Sequence, residues 1–165
     1  MDHYARPSEE NEFLAGHIAL LRASYHHWTG RDLVEPRMSA RDAARFVFGA
    51  RFALLSHDGG KDPVFNYGNE VALGLFGLDW DEFTSLPSRL SAEPELREER
   101  ARLLEEVSAN GFIDDYRGVR IARGGQRFRI EQASVWNLTD PTGVCHGQAA
   151  MFRHWTFLDD RSDQD

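Results

Sequence analysis

The chain of 165 residues carries 19 basic and 27 acidic side chains, a net charge of −8, with 41% hydrophobic and 12% aromatic residues. That composition describes one globular domain able to bury about 70% of its unfolded surface. Its acidity argues against non-specific binding to nucleic acid or anionic membranes, its single cysteine, Cys145, excludes an internal disulfide framework and fits a reducing cytoplasm, and no stretch approaches the ~18 apolar residues of a membrane span.

The opening segment, MDHYARPSEE, is polar and acidic and does not read as a signal peptide. After Pro7 and Ser8, the acidic Glu9 and Glu10 suit a helix start. Leu14, Ile18, Leu21, Tyr25 and Trp28 recur at steps of four and three and so share one helical face, with Gly30 as the stop. That stripe needs a cover, either the chain's own sheet or a second copy. Ser39-Ala40-Arg41-Asp42 resembles a capping box and starts a second helix that ends near Gly49. The run RFALLSH, residues 51–57, predicts a strand, and PVFNY its hairpin partner across Asp58-Gly59-Gly60. Asn69 is placed to cap a short helix over 70–76 closed by Gly77, and Asp79-Trp80-Asp81-Glu82 to open the next. A helix over about 95–110, ended by Gly111, leads into three strands at about 112–122, 126–138 and 144–157. They are joined by turns at Gly124-Gly125 and at Asp140-Pro141-Thr142-Gly143. Strands flanking a helical middle make an α+β pattern. The last residues, 159–165, read as an acidic tail.

A two-residue turn at Gly124-Gly125 would set Arg123 against Gln126, Ile121 against Phe128 and Val119 against Ile130. The second turn would set Trp136 against His146 and Ser134 against Gln148. One face then carries an apolar wall with Trp136, interrupted by Arg117, Gln132, Ser134 and Gln148. Such polar groups need one another, water or a ligand, because an unpartnered buried polar group costs about 1–3 kcal/mol. Should Gly118 sit in a bulge, Arg117 turns outward and Tyr116 inward. The opposite face would hold Arg120, Arg129 and Arg153 in a row, with Val135, Met151 and Trp155. Its apolar part asks for a cover, for which the first helix is the candidate.

The motifs FNYGNEVALGLFGLDWDEF, LPSRLSAEP, REERARLLEEV, GFIDDYRGVRI, QRFRIEQASVWNLTDPTG and GQAAMF, in this order, resemble the MEKHLA domain. That family is a PAS-like module found alone in bacteria and algae and at the C-terminus of certain plant transcription factors. The resemblance covers about residues 52–155. It implies a PAS-like five-stranded antiparallel sheet with short helices over one face and added N-terminal helices. The chain then divides into a helical extension over 1–50, the PAS-like domain over 51–158, and the tail. No homeodomain or zipper precedes it here, so no DNA-binding role is carried over. Domains of this fold sense small molecules, redox state or light between sheet and helices, or mediate dimerisation.

Neither haem nor flavin is expected. The resemblance implies a histidine on the long helix for haem, and 95–110 contains none. It implies a cysteine on the helices before it for flavin, and Cys145 lies on the last strands. No metal is expected, since His146 and His154 would lie far apart along one strand. Cys145 and His146, as strand neighbours, point to opposite faces and form no nucleophile–base pair, so no enzyme is expected. Two readings follow. In the first, a sensory domain binds a small acceptor-rich molecule, for which Trp80, Arg89, Tyr116, Arg117, Gln132, Ser134, Trp136 and Gln148 line the cavity, and acts through an effector protein. In the second, a solid-cored interaction module dimerises through the N-terminal helix or the face around Trp155.

Overall fold

The computed structural model describes residues 3–158; the acidic tail expected over 159–165 lies outside them. The first helix, α1 (Ala15–Thr29), ends at Gly30, whose left-handed conformation (φ 74°) lets its N–H reach the His26 carbonyl. Ser39 caps α2 (Ala40–Phe48) by accepting from the Asp42 N–H. The hairpin of β1 (Ala53–Asp58) and β2 (Phe65–Gly68) follows, then α3 (Glu70–Phe76) and α4 (Trp80–Phe83). Asn69 caps α3 as its position predicts, and does more. Its fully buried amide also accepts from Leu54 N–H and donates to the Val47 and Phe52 carbonyls, tying α2, β1 and α3 together. Asp79 and Glu82 form the expected capping box of α4.

The long helix, α5 (Arg97–Asn110), ends at Gly111 and leads into β3 (Phe112–Ile121) and β4 (Arg127–Thr139). The last predicted strand is split at Arg153 into β5 (Cys145–Phe152) and β6 (His154–Leu158), both paired with β4. All pairings are antiparallel, and the order is β2-β1-β5-β4-β3 with β6 beside β4. This is the expected α+β architecture: an antiparallel sheet with short helices on one face and the N-terminal helices on the other.

Three backbone details overturn the expected registers. At the β3–β4 hairpin, Ala122 N–H bonds the Gln126 carbonyl and Gly125 N–H bonds the Ala122 carbonyl, so three residues, not two, make the turn, with Gly125 at φ 94°. Arg120 therefore faces Phe128 and Gly118 faces Ile130, and this one-residue slip moves the β3 side chains from Tyr116 to Ile121 across the sheet. At Gln132 the backbone is left-handed (φ 54°) and β4 bulges, so Phe128 and Ile130 share a face with Ala133 and Val135. Near Gly147 (φ 138°) β5 gains an extra residue, which sets Trp136 opposite Ala149 and Asn137 opposite Gln148.

The outer face of the sheet thus carries Ser56, Ser134, Trp136 and Ala149, and α1 covers it. The rings of Tyr25 and Trp136 meet edge to face at 4.8 Å. Trp136 Nε1 donates to the Leu21 carbonyl, and Trp28 Nε1 to that of Asn137 (3.0 Å). Ser24 Oγ exchanges bonds with the backbone of Thr139, and Arg31 grips both oxygens of Asp114 on β3. The stripe Leu14, Ile18, Leu21 and Tyr25 is buried within the chain, so the face offered to either a sheet or a second copy is taken by the sheet. The expected arginine row does not form: Arg120 points to the inner face, Arg129 pairs with Glu131, and Arg153 lies over the Phe52 ring. On the inner face, Phe65 stacks on Phe83 and Phe76 meets Phe128 edge-on, closing the helical layer over the sheet.

Candidate functional site

Between the inner face and α3–α5 lies a cavity of about 70 Å³. Its walls are mainly apolar, with Leu55, Phe76, Leu103, Ile130, Val135 and Phe152 among them; Arg100, Arg120, His57, Gln148 and Tyr116 interrupt these walls.

Each polar residue arrives by a simple local rule. On α5, Arg100, Leu103, Leu104 and Val107 repeat at helical spacing and turn the guanidinium inward with the leucines. On β1, His57 is two residues from Leu55, and on β5, Gln148 is two from Ala150, so strand alternation points both into the cavity. On β3, Tyr116 and Arg120 lie four residues apart and face inward together. Gly118 stands between them, and a Cβ there would lie 2.0 Å from the Tyr116 hydroxyl oxygen. Only glycine leaves the phenol room to fold back toward the guanidinium.

The groups form a directed chain. Gln148 Nε2 donates toward the Leu104 carbonyl, Ser108 Oγ and Asn137 Oδ1, so its Oε1 accepts from His57 Nε2–H (3.2 Å). His57 Nδ1 is then the acceptor of the Ser88 hydroxyl proton (2.9 Å), and Ser88 Oγ accepts from Arg100 Nη2 (2.6 Å). His57 is accordingly neutral. Burial foremost, and then the charge of Arg100, push its pKa down to about 4.

The two arginines are the anomaly of the site. Arg100 and Arg120 are 8% and 9% exposed. Arg100 donates to Ser88; Arg120 donates to the Val119 carbonyl and to the Tyr116 hydroxyl (3.2 Å), with its guanidinium 5.7 Å from the phenol ring centre. Among the described residues no carboxylate pairs with either. Asp62, whose charge Arg100 feels, gives both oxygens to Arg89. Burial, and next the neighbouring charge of Arg120, pull the Arg100 pKa from 12.5 to about 10.

Of the residues expected to line the cavity, Tyr116 and Gln148 do so. Trp80 is buried on the far side of β2, edge-on to Tyr67, with its Nε1 donating to the Tyr4 carbonyl. Arg89 is on the surface with Asp62. Arg117 is exposed and Tyr116 faces inward, an outcome set by the three-residue turn and not by a β3 bulge at Gly118, and Gln132 is exposed at the β4 bulge. Ser134 and Trp136 face α1, where Ser134 Oγ donates to Asp114 Oδ1 (2.7 Å). The turn length and the Gln132 bulge account for these strand placements. The sequence reading missed Arg100, Arg120 and His57; the first carried a signal, its place in the leucine repeat of α5.

No curated relative matches the sequence. Several solved structures resemble the fold. A PAS domain from Colwellia psychrerythraea is 14% identical, with a TM-score of 0.58 over 66% of this chain and 90% of its own. A light-oxygen-voltage domain studied with a flavin analogue is 15% identical, with a TM-score of 0.56 over 72% and 85%. The light-state dimer of the fungal blue-light photoreceptor Vivid is 16% identical, with a TM-score of 0.55 over 82% and 90%. At such identities the likeness shows the fold alone, and that fold, with its strand order and its cavity between sheet and helices, defines a PAS-like domain. Residues 15–157 match the MEKHLA domain, and the chain belongs to that family. The match takes in α1 and α2, which the sequence reading set apart as an extension.

Among the described residues no group of three or more His, Cys, Asp or Glu could hold a metal, and no helix is long and apolar enough to cross a membrane.

Proposed function

We propose that this chain is a sensory domain that binds a small, acceptor-rich molecule between sheet and helices and passes its occupancy to a protein partner. The work is recognition and not catalysis. One observation carries the reading: a cavity with apolar walls on which polar side chains from α5, β1, β3 and β5 converge, with N–H donors of Arg100 and Arg120 left over. Haem and flavin stand outside it. A cavity of about 70 Å³ is well below the roughly 300 Å³ at which pockets for larger ligands begin, and Cys145 is exposed at the start of β5. Its thiol, neither paired nor buried, supports a reducing cytoplasmic setting. Thermal shift against fractionated metabolite pools tests the proposal, with the expected result a rise in Tm from at least one fraction and ordered density between α5 and β3 in a crystal structure grown with it.

A second reading, an interaction module without a ligand, draws on the hydrogen-bonded chain from Arg100 through Ser88, His57 and Gln148 to Asn137, in which those groups largely satisfy one another. Water would then complete the arginines. No response to any pool, with only water in the cavity, selects it.

A further inference from the structure

Two cationic side chains buried together without a carboxylate form an unusual pairing. Desolvation and mutual repulsion both oppose it, and most of the N–H donors on each fork have no protein acceptor. Arg100 comes from α5 and Arg120 from β3, so the two forks reach the cavity from separate elements. A planar anion is the natural partner of such donors. The remaining walls select among anions. Leu55, Ile130, Val135 and Phe152 offer no hydrogen bonds to a heavily hydrated group such as phosphate, but they suit a hydrocarbon end. Size narrows the class again, since about 70 Å³ is half of the roughly 150 Å³ that accepts a benzene.

We infer that the molecule recognised here is a short-chain monocarboxylate, of formate, acetate or propionate size. Its carboxylate lies between Arg100 and Arg120 and its hydrocarbon end against the aliphatic wall of β1, β4 and β5. The inference rests on the sensory reading above and names its ligand class. His57, kept neutral, adds no third charge, and Tyr116 steadies the Arg120 fork from one side. Binding would offset one of the two positive charges and draw α5 toward β3.

The test uses the full chain, by thermal shift and isothermal titration with sodium formate, acetate and propionate against sodium chloride at equal ionic strength. The neutral acetamide, sodium nitrate and sodium phosphate complete the set. Acetate or propionate should raise Tm beyond chloride, and Arg100→Met and Arg120→Met should each weaken binding at least about tenfold. Arg117→Met, on the surface, should bind as the parent does. Should either variant fail to fold, side-chain Nε–Hε NMR signals of Arg100 and Arg120 in the parent protein give the same answer, moving with acetate and not with acetamide. Carboxylates no better than chloride, or binding unchanged by both arginine variants, overturn the inference. If acetamide or a neutral metabolite stabilises the chain while carboxylates do not, the sensory reading stands and this one falls. If nitrate or phosphate alone binds in an arginine-dependent way, the carboxylate assignment is likewise refuted.

Discussion

Replacing Arg100 by methionine should make the ligand-free protein more stable, the reverse of the usual outcome for a buried side chain. The fall of its pKa from 12.5 to about 10 corresponds to about 3 kcal/mol by which the folded state disfavours the charged guanidinium. Methionine keeps an unbranched apolar stem at this position and removes the charge. Against that gain stands the lost bond to Ser88, worth about 1–2 kcal/mol, softened because the Ser88 hydroxyl keeps its bond to His57. The net expectation is a gain of about 1–2 kcal/mol, and for a domain of this size each kcal/mol moves Tm by about 2–4 °C. Urea denaturation followed by tryptophan fluorescence, with calorimetry beside it, measures the change in carboxylate-free buffer. Arg100→Lys keeps the charge but not the fork and should gain nothing. A loss of more than about 2 kcal/mol in Arg100→Met would refute the reasoning, since that is how a well-paired buried arginine behaves when removed.

Acid should weaken the fold through His57. Its folded pKa of about 4 lies below the ordinary 6.5, so the unfolded chain binds the proton more readily. The stability is whole above pH 6.5 and drains away as pH falls toward 4, by about 3 kcal/mol for this group. Urea midpoints at pH 7 and pH 4 should differ less in His57→Gln than in the parent, and equal pH dependences would contradict the assignment. Half-buried His17, bonded to Ser56 and likewise lowered to about 4 by burial, adds in the same direction and remains in both proteins. Gly111→Ala should cost at least about 2 kcal/mol, because φ is 96° there and the new Cβ would lie 2.3 Å from the Trp28 ring; unchanged thermal unfolding would count against that close approach. Trp136→Ala, which empties the core beneath α1, should cost about 3–5 kcal/mol by denaturant titration.

Element order and type were legible because caps and stops are local. Asn69, Asp79 and Ser39 act where their spacing to the following N–H groups puts them, and the apolar stripe of α1 was plain. The faces of the strands were not legible, because they depend on single residues. The sequence Arg123-Gly124-Gly125 serves a two-residue or a three-residue turn, and the choice is made by the long-range fit of Phe128 under α3, not by the turn. Gln132 has no local mark of a left-handed residue. It is held there because Ile130 and Ala133 must both face the cavity while Trp136 faces α1. With those two choices hidden, Trp136 and Ser134 were assigned to the wrong side, and Arg120 to the solvent.

Asn137 takes part in both layers at once. Its amide works within, between Gln148 and the end of α5, while its carbonyl, turned the other way, receives the Trp28 indole. Anyone paring the protein back to a minimal module for engineering would be tempted to start at the first strand, and so discard that indole and uncover the Trp136 side of the sheet. The smallest unit worth making begins ahead of α1, and a fusion junction placed between α2 and β1 would cut through the architecture instead of joining onto it.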